Sequence, residues 1–90
     1  MGKLIHEELS YKIIGAAIEV HNILGPGFLE KVYENALIHE LKELGLSGVQ
    51  QKNLDVFYKG IRVGHYVADI VVENKIILEL KAISGMLSDY

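Results

Sequence analysis

Apolar residues recur at helical spacing from Glu7 to Leu24. Leu9, Ile13, Ala17, Val20 and Leu24 fall on one face, while Glu8, Lys12, Glu19 and Asn22 fall on the other. Glu8 and Lys12 also stand four apart in the favourable orientation for an ion pair. Gly25-Pro26-Gly27 then breaks the pattern, because a glycine suits a helix C-cap and proline cannot continue the ladder. A second helix is predicted from about Phe28 to Leu44. Its apolar face is Leu29, Val32, Tyr33, Ala36, Leu37, Leu41 and Leu44, and Gly45 is the stop.

From Val49 the period changes. Val49 to Tyr58 has a mixed pattern ending in Leu54, Val56, Phe57 and Tyr58, Ile61 to Glu73 is rich in β-branched residues, and Ile76 to Ala82 follows, with Lys59-Gly60 and Glu73-Asn74-Lys75 supplying turns between them. The prediction is two N-terminal helices followed by three short strands in an antiparallel meander, an α+β fold in one domain spanning residues 1–90.

The segment Val67–Ala82, VADIVVENKIILELKA, carries Asp69, Glu79 and Lys81 inside two otherwise almost wholly aliphatic runs. Charges are costly there unless they are paired, hold a metal or do chemistry. With the turn centred on Asn74, Asp69 faces Glu79 across the hairpin, and Lys81 shares the face of Glu79. A one-residue slip in register would break this convergence. Two adjacent carboxylates invite a divalent cation with oxygen ligands, and Mg²⁺ typically takes one or two carboxylates and keeps several waters. A lysine beside them suits stabilisation of developing negative charge. Together these are the parts of metal-assisted phosphodiester hydrolysis. The same three residues also suit a structural salt-bridge cluster. At 100° per residue Glu30 lies between Leu37 and Leu41, on the flank of the apolar stripe, and is expected to point toward whatever the helix packs on. Glu40 falls near the stripe by the same test.

Composition narrows the field. Half of the 90 residues are apolar, which argues against disorder. The formal charge of −3 gives no electrostatic footprint for tight nonspecific binding of nucleic acid. The charge is uneven, however: the acidic excess lies in residues 1–48, and residues 49–90 are balanced. Cysteine is absent, so disulfides and thiolate metal sites are excluded. His6, His21, His39 and His65 show no zinc-ligand spacing. No membrane span is expected, and a cytoplasmic location is the default.

Gly27-Phe28-Leu29-Glu30-Lys31-Val32-Tyr33 spells GxxExxY. With AAIEVHNILGPG before it and ADIVVENKIILELKA after it, the chain resembles the GxxExxY protein family, which is grouped with the PD-(D/E)XK nuclease superfamily. The likeness runs from about Glu7 to Ala82. It implies an Mg²⁺- or Mn²⁺-dependent nuclease acting on DNA and leaving a 5′-phosphate. Asp69 matches the first metal-binding acid, although Ala68 stands where proline is usual. Glu79 matches the second acid and Lys81 the motif lysine. The main-chain carbonyl of Leu80 matches a further metal ligand, and Glu30 the acid supplied by the helix before the sheet. Tyr33 is expected to pack against the sheet. The superfamily core runs α-β-β-β-α-β, so a C-terminally incomplete core is expected, lacking the last helix and strand. A homodimer would then cover the exposed sheet edge. The alternative is a non-catalytic binding or assembly module that keeps the nuclease-like fold.

Overall fold

The computed structural model describes residues 6–80. Helices α1 (Glu7–Leu24) and α2 (Glu30–Glu43) precede strands β1 (Gly48–Tyr58), β2 (Ile61–Val72) and β3 (Ile76–Leu78). The strands form one antiparallel sheet in the order β1-β2-β3. This is the α+β arrangement that the periodicity predicts, with α1 matching its expected bounds.

The core is one cluster. Ile13, Ala16 and Val20 of α1 meet Leu37 and Leu41 of α2, and both meet Ile70, Val72 and Leu80 from the sheet region. Leu9, Ala17 and Leu24 are partly buried against the cluster. Ala16, absent from the expected stripe, is more buried than Ala17, so the stripe is slightly rotated. Glu8 and Lys12 do not form their ion pair. Both are exposed, where such a pair is worth little.

The helix–helix link explains the spacing of Gly27 and Tyr33. The N–H of Gly25 donates to the His21 carbonyl at 2.9 Å and ends α1. Gly27 has φ 107°, a conformation that other residues rarely adopt. The Tyr33 hydroxyl then donates to the Gly25 carbonyl at 2.6 Å and accepts from the Phe28 N–H at 3.2 Å. Its ring lies 5.6 Å from that of His21 and 6.2 Å from that of Phe28. Tyr33 is partly buried against the core cluster, and its hydroxyl adds a clamp on the turn. The clamp holds Phe28 and Leu29 outside the helix, so α2 starts two residues later than its apolar pattern suggests.

Both hairpin turns use left-handed backbone. Lys59 (φ 50°) and Gly60 (φ 81°) form a two-residue loop with Tyr58 paired to Ile61, as expected of a type I′ hairpin. Glu73 (φ 55°) and Asn74 (φ 54°) turn the chain again, with Lys75 N–H donating to the Val72 carbonyl at 2.9 Å. Glu73 is also tied back to Ser47: its carboxylate accepts the Ser47 N–H at 2.7 Å, and its own N–H donates to the Ser47 carbonyl at 2.9 Å.

The strands are not uniformly short. β1 and β2 have 11 and 12 residues, whereas β3 has three. The expected third strand, Ile76 to Ala82, therefore stops at Leu78. Residues 81 and 82 lie outside the described part. The β1–β2 hairpin extends well past the core, and no residue from Asp55 to Val67 is buried. No helix among the described residues is long and apolar enough to cross a membrane.

Candidate active site

The ladder between β2 and β3 pairs Val72 with Ile76, Val71 with Ile77 and Ile70 with Leu78. Continued one step, that register would set Asp69 opposite Glu79, the pair expected from the turn centred on Asn74. Here regular pairing ends, for a visible reason. Asp69 Oδ2 accepts the main-chain N–H of Leu80 at 2.8 Å. A side-chain carboxylate has taken the place of a ladder carbonyl, and the chain leaves the sheet. Leu80 is buried in the core cluster, which fixes the other side of this contact.

Alternation along β2 sends Ala68, Ile70 and Val72 to a buried face, and Ile70 and Val72 join the helices in the core. Asp69 lies between them on the opposite face and is half-buried. The Tyr66 hydroxyl donates to Glu79 Oε2. Its pKa is raised above the ordinary 10.0, first because it donates that hydrogen bond and then through partial burial and the negative fields of Glu79 and Asp69. The phenol thus registers both carboxylates at once. Among the described residues, the ion pairs are Lys31–Glu34, His39–Glu43 and Arg62–Asp55, so no described cation neutralises Asp69 or Glu79.

The other expected site residues fare differently. Glu30 is the first residue of α2 and is exposed. It does not reach the core side of the helix. No group of three acidic or histidine side chains suited to a metal ion assembles among the described residues, so Glu30 does not join Asp69 and Glu79. Lys81 lies outside the described residues. Leu80 adjoins the pair through its N–H.

Sequence reasoning missed Glu34. One turn beyond Glu30, it is the buried carboxylate of α2, with 4% of its surface exposed. It accepts from Gln50 Nε2 at 2.7 Å, from Gln51 Nε2 at 3.1 Å and from Lys31 Nζ at 3.2 Å. Successive strand residues normally point to opposite faces, yet both glutamines reach one helix carboxylate. The φ of +50° at Gln51 accounts for this, since it turns a side chain that would stand beside Asp69 toward α2. The β1–β2 register pairs Gln50 with Ile70 and Lys52 with Ala68 but skips Gln51 and Asp69. The left-handed conformation costs a non-glycine residue about 1–2 kcal/mol, and the Glu34 hydrogen bonds offset it. A QQ pair opposite a helix glutamate was the available signal, but it is legible only once α2 and β1 are known to be neighbours.

The donor set suits a hard divalent cation in one respect. Two carboxylates with no described counter-cation match the one or two that Mg²⁺ takes, and each has an oxygen beyond the one hydrogen-bonded to Leu80 or Tyr66. A three-carboxylate site including Glu30 does not fit. A separate apolar groove between the helices is lined by Val20, Ile23, Leu24, Ala36, His39 and Glu40, and includes neither site carboxylate.

Comparison with known proteins adds one finding. A family model of the PD-(D/E)XK nuclease superfamily matches residues 7–89. No match was found among curated proteins or solved structures.

Proposed function

The chain belongs to the PD-(D/E)XK nuclease superfamily, and from that membership and its carboxylate pair we propose a divalent-metal-dependent nuclease that hydrolyses phosphodiester bonds in DNA. The observation that supports the proposal is that Asp69 holds the Leu80 N–H and Glu79 the Tyr66 hydroxyl where β2 and β3 part, with neither carboxylate in an ion pair among the described residues. Asp69, Glu79 and the Leu80 carbonyl would hold Mg²⁺ or Mn²⁺. A cation held there supplies Lewis-acid polarisation and neutralises charge on the phosphoryl group.

The chain's own groups would do the rest. Asp69 is oriented by the Leu80 N–H and Glu79 by the Tyr66 hydroxyl, so both carboxylates are preorganised. Water attacks phosphorus in line, the P–O3′ bond breaks, and the products are a 5′-phosphate and a 3′-hydroxyl. Lys81 would assist the attacking water or stabilise the phosphorane charge. Glu30 would act only if the bound substrate or a rearranged first turn of α2 brought it closer.

The test is cleavage of end-labelled single-stranded, duplex and branched DNA with Mn²⁺ present. Cutting by the wild type, lost in Asp69→Asn and Glu79→Gln, is the expected result. Intact substrates with the wild type would remove the reading. A second reading, a non-catalytic module that retains the fold, draws on the exposed position of Glu30, and it predicts nucleic-acid binding without cleavage.

A further inference from the structure

The outer half of the β1–β2 hairpin buries nothing, yet it is not built like a solvated loop. Phe57 is 62% exposed, Tyr58 63%, Ile61 67% and Tyr66 40%. Three aromatic rings on a short stretch of strand are costly to leave in water. The same stretch reverses the charge of the chain. Residues 52–66 carry Lys52, Lys59 and Arg62 against Asp55 alone, a net of +2 in a protein of formal charge −3. The basic and aromatic groups are interleaved: Phe57 pairs directly with Arg62, and the Lys59 ammonium lies 5.4 Å from the centre of the Tyr58 ring. The arm also leads to the site, because Tyr66 at its inner end donates to Glu79.

Building on the nuclease reading, we propose that this arm binds a single-stranded stretch of nucleic acid, its aromatic rings stacking on bases while its cations meet phosphates. Duplex DNA fits less well for two reasons. Its bases hide their faces in the stack, whereas unpaired bases offer them to aromatic side chains. Strong nonspecific duplex binding rests on many phosphate contacts, and three cations are few for that. The Arg62–Asp55 pair is exposed on both sides, so a phosphate can compete for the guanidinium at little cost. At roughly 3.3 Å per strand residue, Arg62 lies about 23 Å along β2 from Asp69. A strand lying along the arm would therefore reach the carboxylates after several nucleotides, which assigns a substrate with an unpaired end or flap to this site.

The test is fluorescence anisotropy with labelled dT20 and a labelled 20-bp duplex, in EDTA so that nothing is cut. The proteins are the wild type, Phe57→Ala, Tyr58→Ala, Lys59→Ala and the control Lys12→Ala on the far face of α1. All substituted side chains are exposed, and circular dichroism confirms that each variant is folded. The wild type is expected to prefer dT20. Each aromatic substitution is expected to weaken dT20 binding about tenfold. Lys59→Ala is expected to lower the log–log salt slope by about 0.7, and Lys12→Ala to change nothing. If the wild type binds dT20 but the aromatic variants bind equally well, the arm proposal is overturned while the nuclease reading stands. Equal or tighter binding of the duplex overturns it too. It is also overturned if sedimentation shows a dimer that Tyr58→Ala dissociates with no loss of DNA affinity, since the patch is then an interface between copies. If neither probe binds, the arm proposal fails, and the cleavage assay judges the nuclease reading separately.

Discussion

Asp69 has two roles that a pair of substitutions can separate. Its carboxylate accepts the N–H of buried Leu80 at 2.8 Å and ends the third strand. Asp69→Ala removes that charged acceptor, and loss of the hydrogen bond costs about 1–3 kcal/mol. For a domain of this size, each kcal/mol is worth roughly 4–8 °C in Tm. A fall of about 8–16 °C follows from the middle of that range. Asp69→Asn keeps an acceptor oxygen in nearly the same place. It loses charge assistance, about half the strength of such a bond, but it also removes repulsion from Glu79. Cross-strand side chains sit about 5 Å apart, and two like charges at that distance repel by about 1–3 kcal/mol between water and an effective dielectric near 20. The two changes nearly cancel, so Asp69→Asn should stay within about 1 kcal/mol of the wild type. Thermal denaturation by circular dichroism without metal measures both. Equal destabilisation by Asn and Ala, or none by Ala, would refute the claim that the Leu80 contact is the structural role of this carboxylate.

Three other outcomes follow from named contacts. Glu34→Ala removes the acceptor that Gln50 and Gln51 share, leaving Gln50 its bond to Asn35, and removes the restraint on the left-handed backbone at Gln51, and it should cost about 1–2 kcal/mol in urea denaturation. Tyr33→Phe keeps the ring but deletes the two hydrogen bonds of the clamp, and it should cost about 1–2 kcal/mol in the same assay. Tyr66 should ionise above the ordinary 10.0 in an ultraviolet tyrosinate titration, and Glu79→Ala should bring it back toward 10.0. Because its folded pKa is raised, its contribution to stability is full below about pH 10 and is lost as pH rises through the higher folded value.

Much of the framework was legible from periodicity and turn chemistry. The helix α1 follows from its stripe, and the two turns follow from Lys59-Gly60 and Glu73-Asn74-Lys75. The Asn74 centre gives the β2–β3 register as far as Ile70 and Leu78. Three features were hidden because they depend on tertiary contacts. The end of β3 is set by an Asp69 side chain replacing a backbone acceptor, which no strand propensity encodes. A helical wheel gives direction but not depth. Glu30 has the angle to face inward but sits in the exposed first turn, whereas Glu34 is one turn deeper and buried. The role of Tyr33 required knowing that Gly25 and Phe28 fold back over the start of α2.

The central claim is that Asp69 and Glu79 together hold a divalent cation. Titration calorimetry with Mn²⁺ tests it on the wild type, Asp69→Asn, Glu79→Gln and Glu30→Gln, with thermal denaturation confirming that each is folded. A saturable heat is predicted for the wild type, lost in the Asp69 and Glu79 variants and kept in Glu30→Gln, whose carboxylate stands apart from the pair. The same negligible heat from all four proteins, or wild-type binding that survives Asp69→Asn and Glu79→Gln, would contradict it.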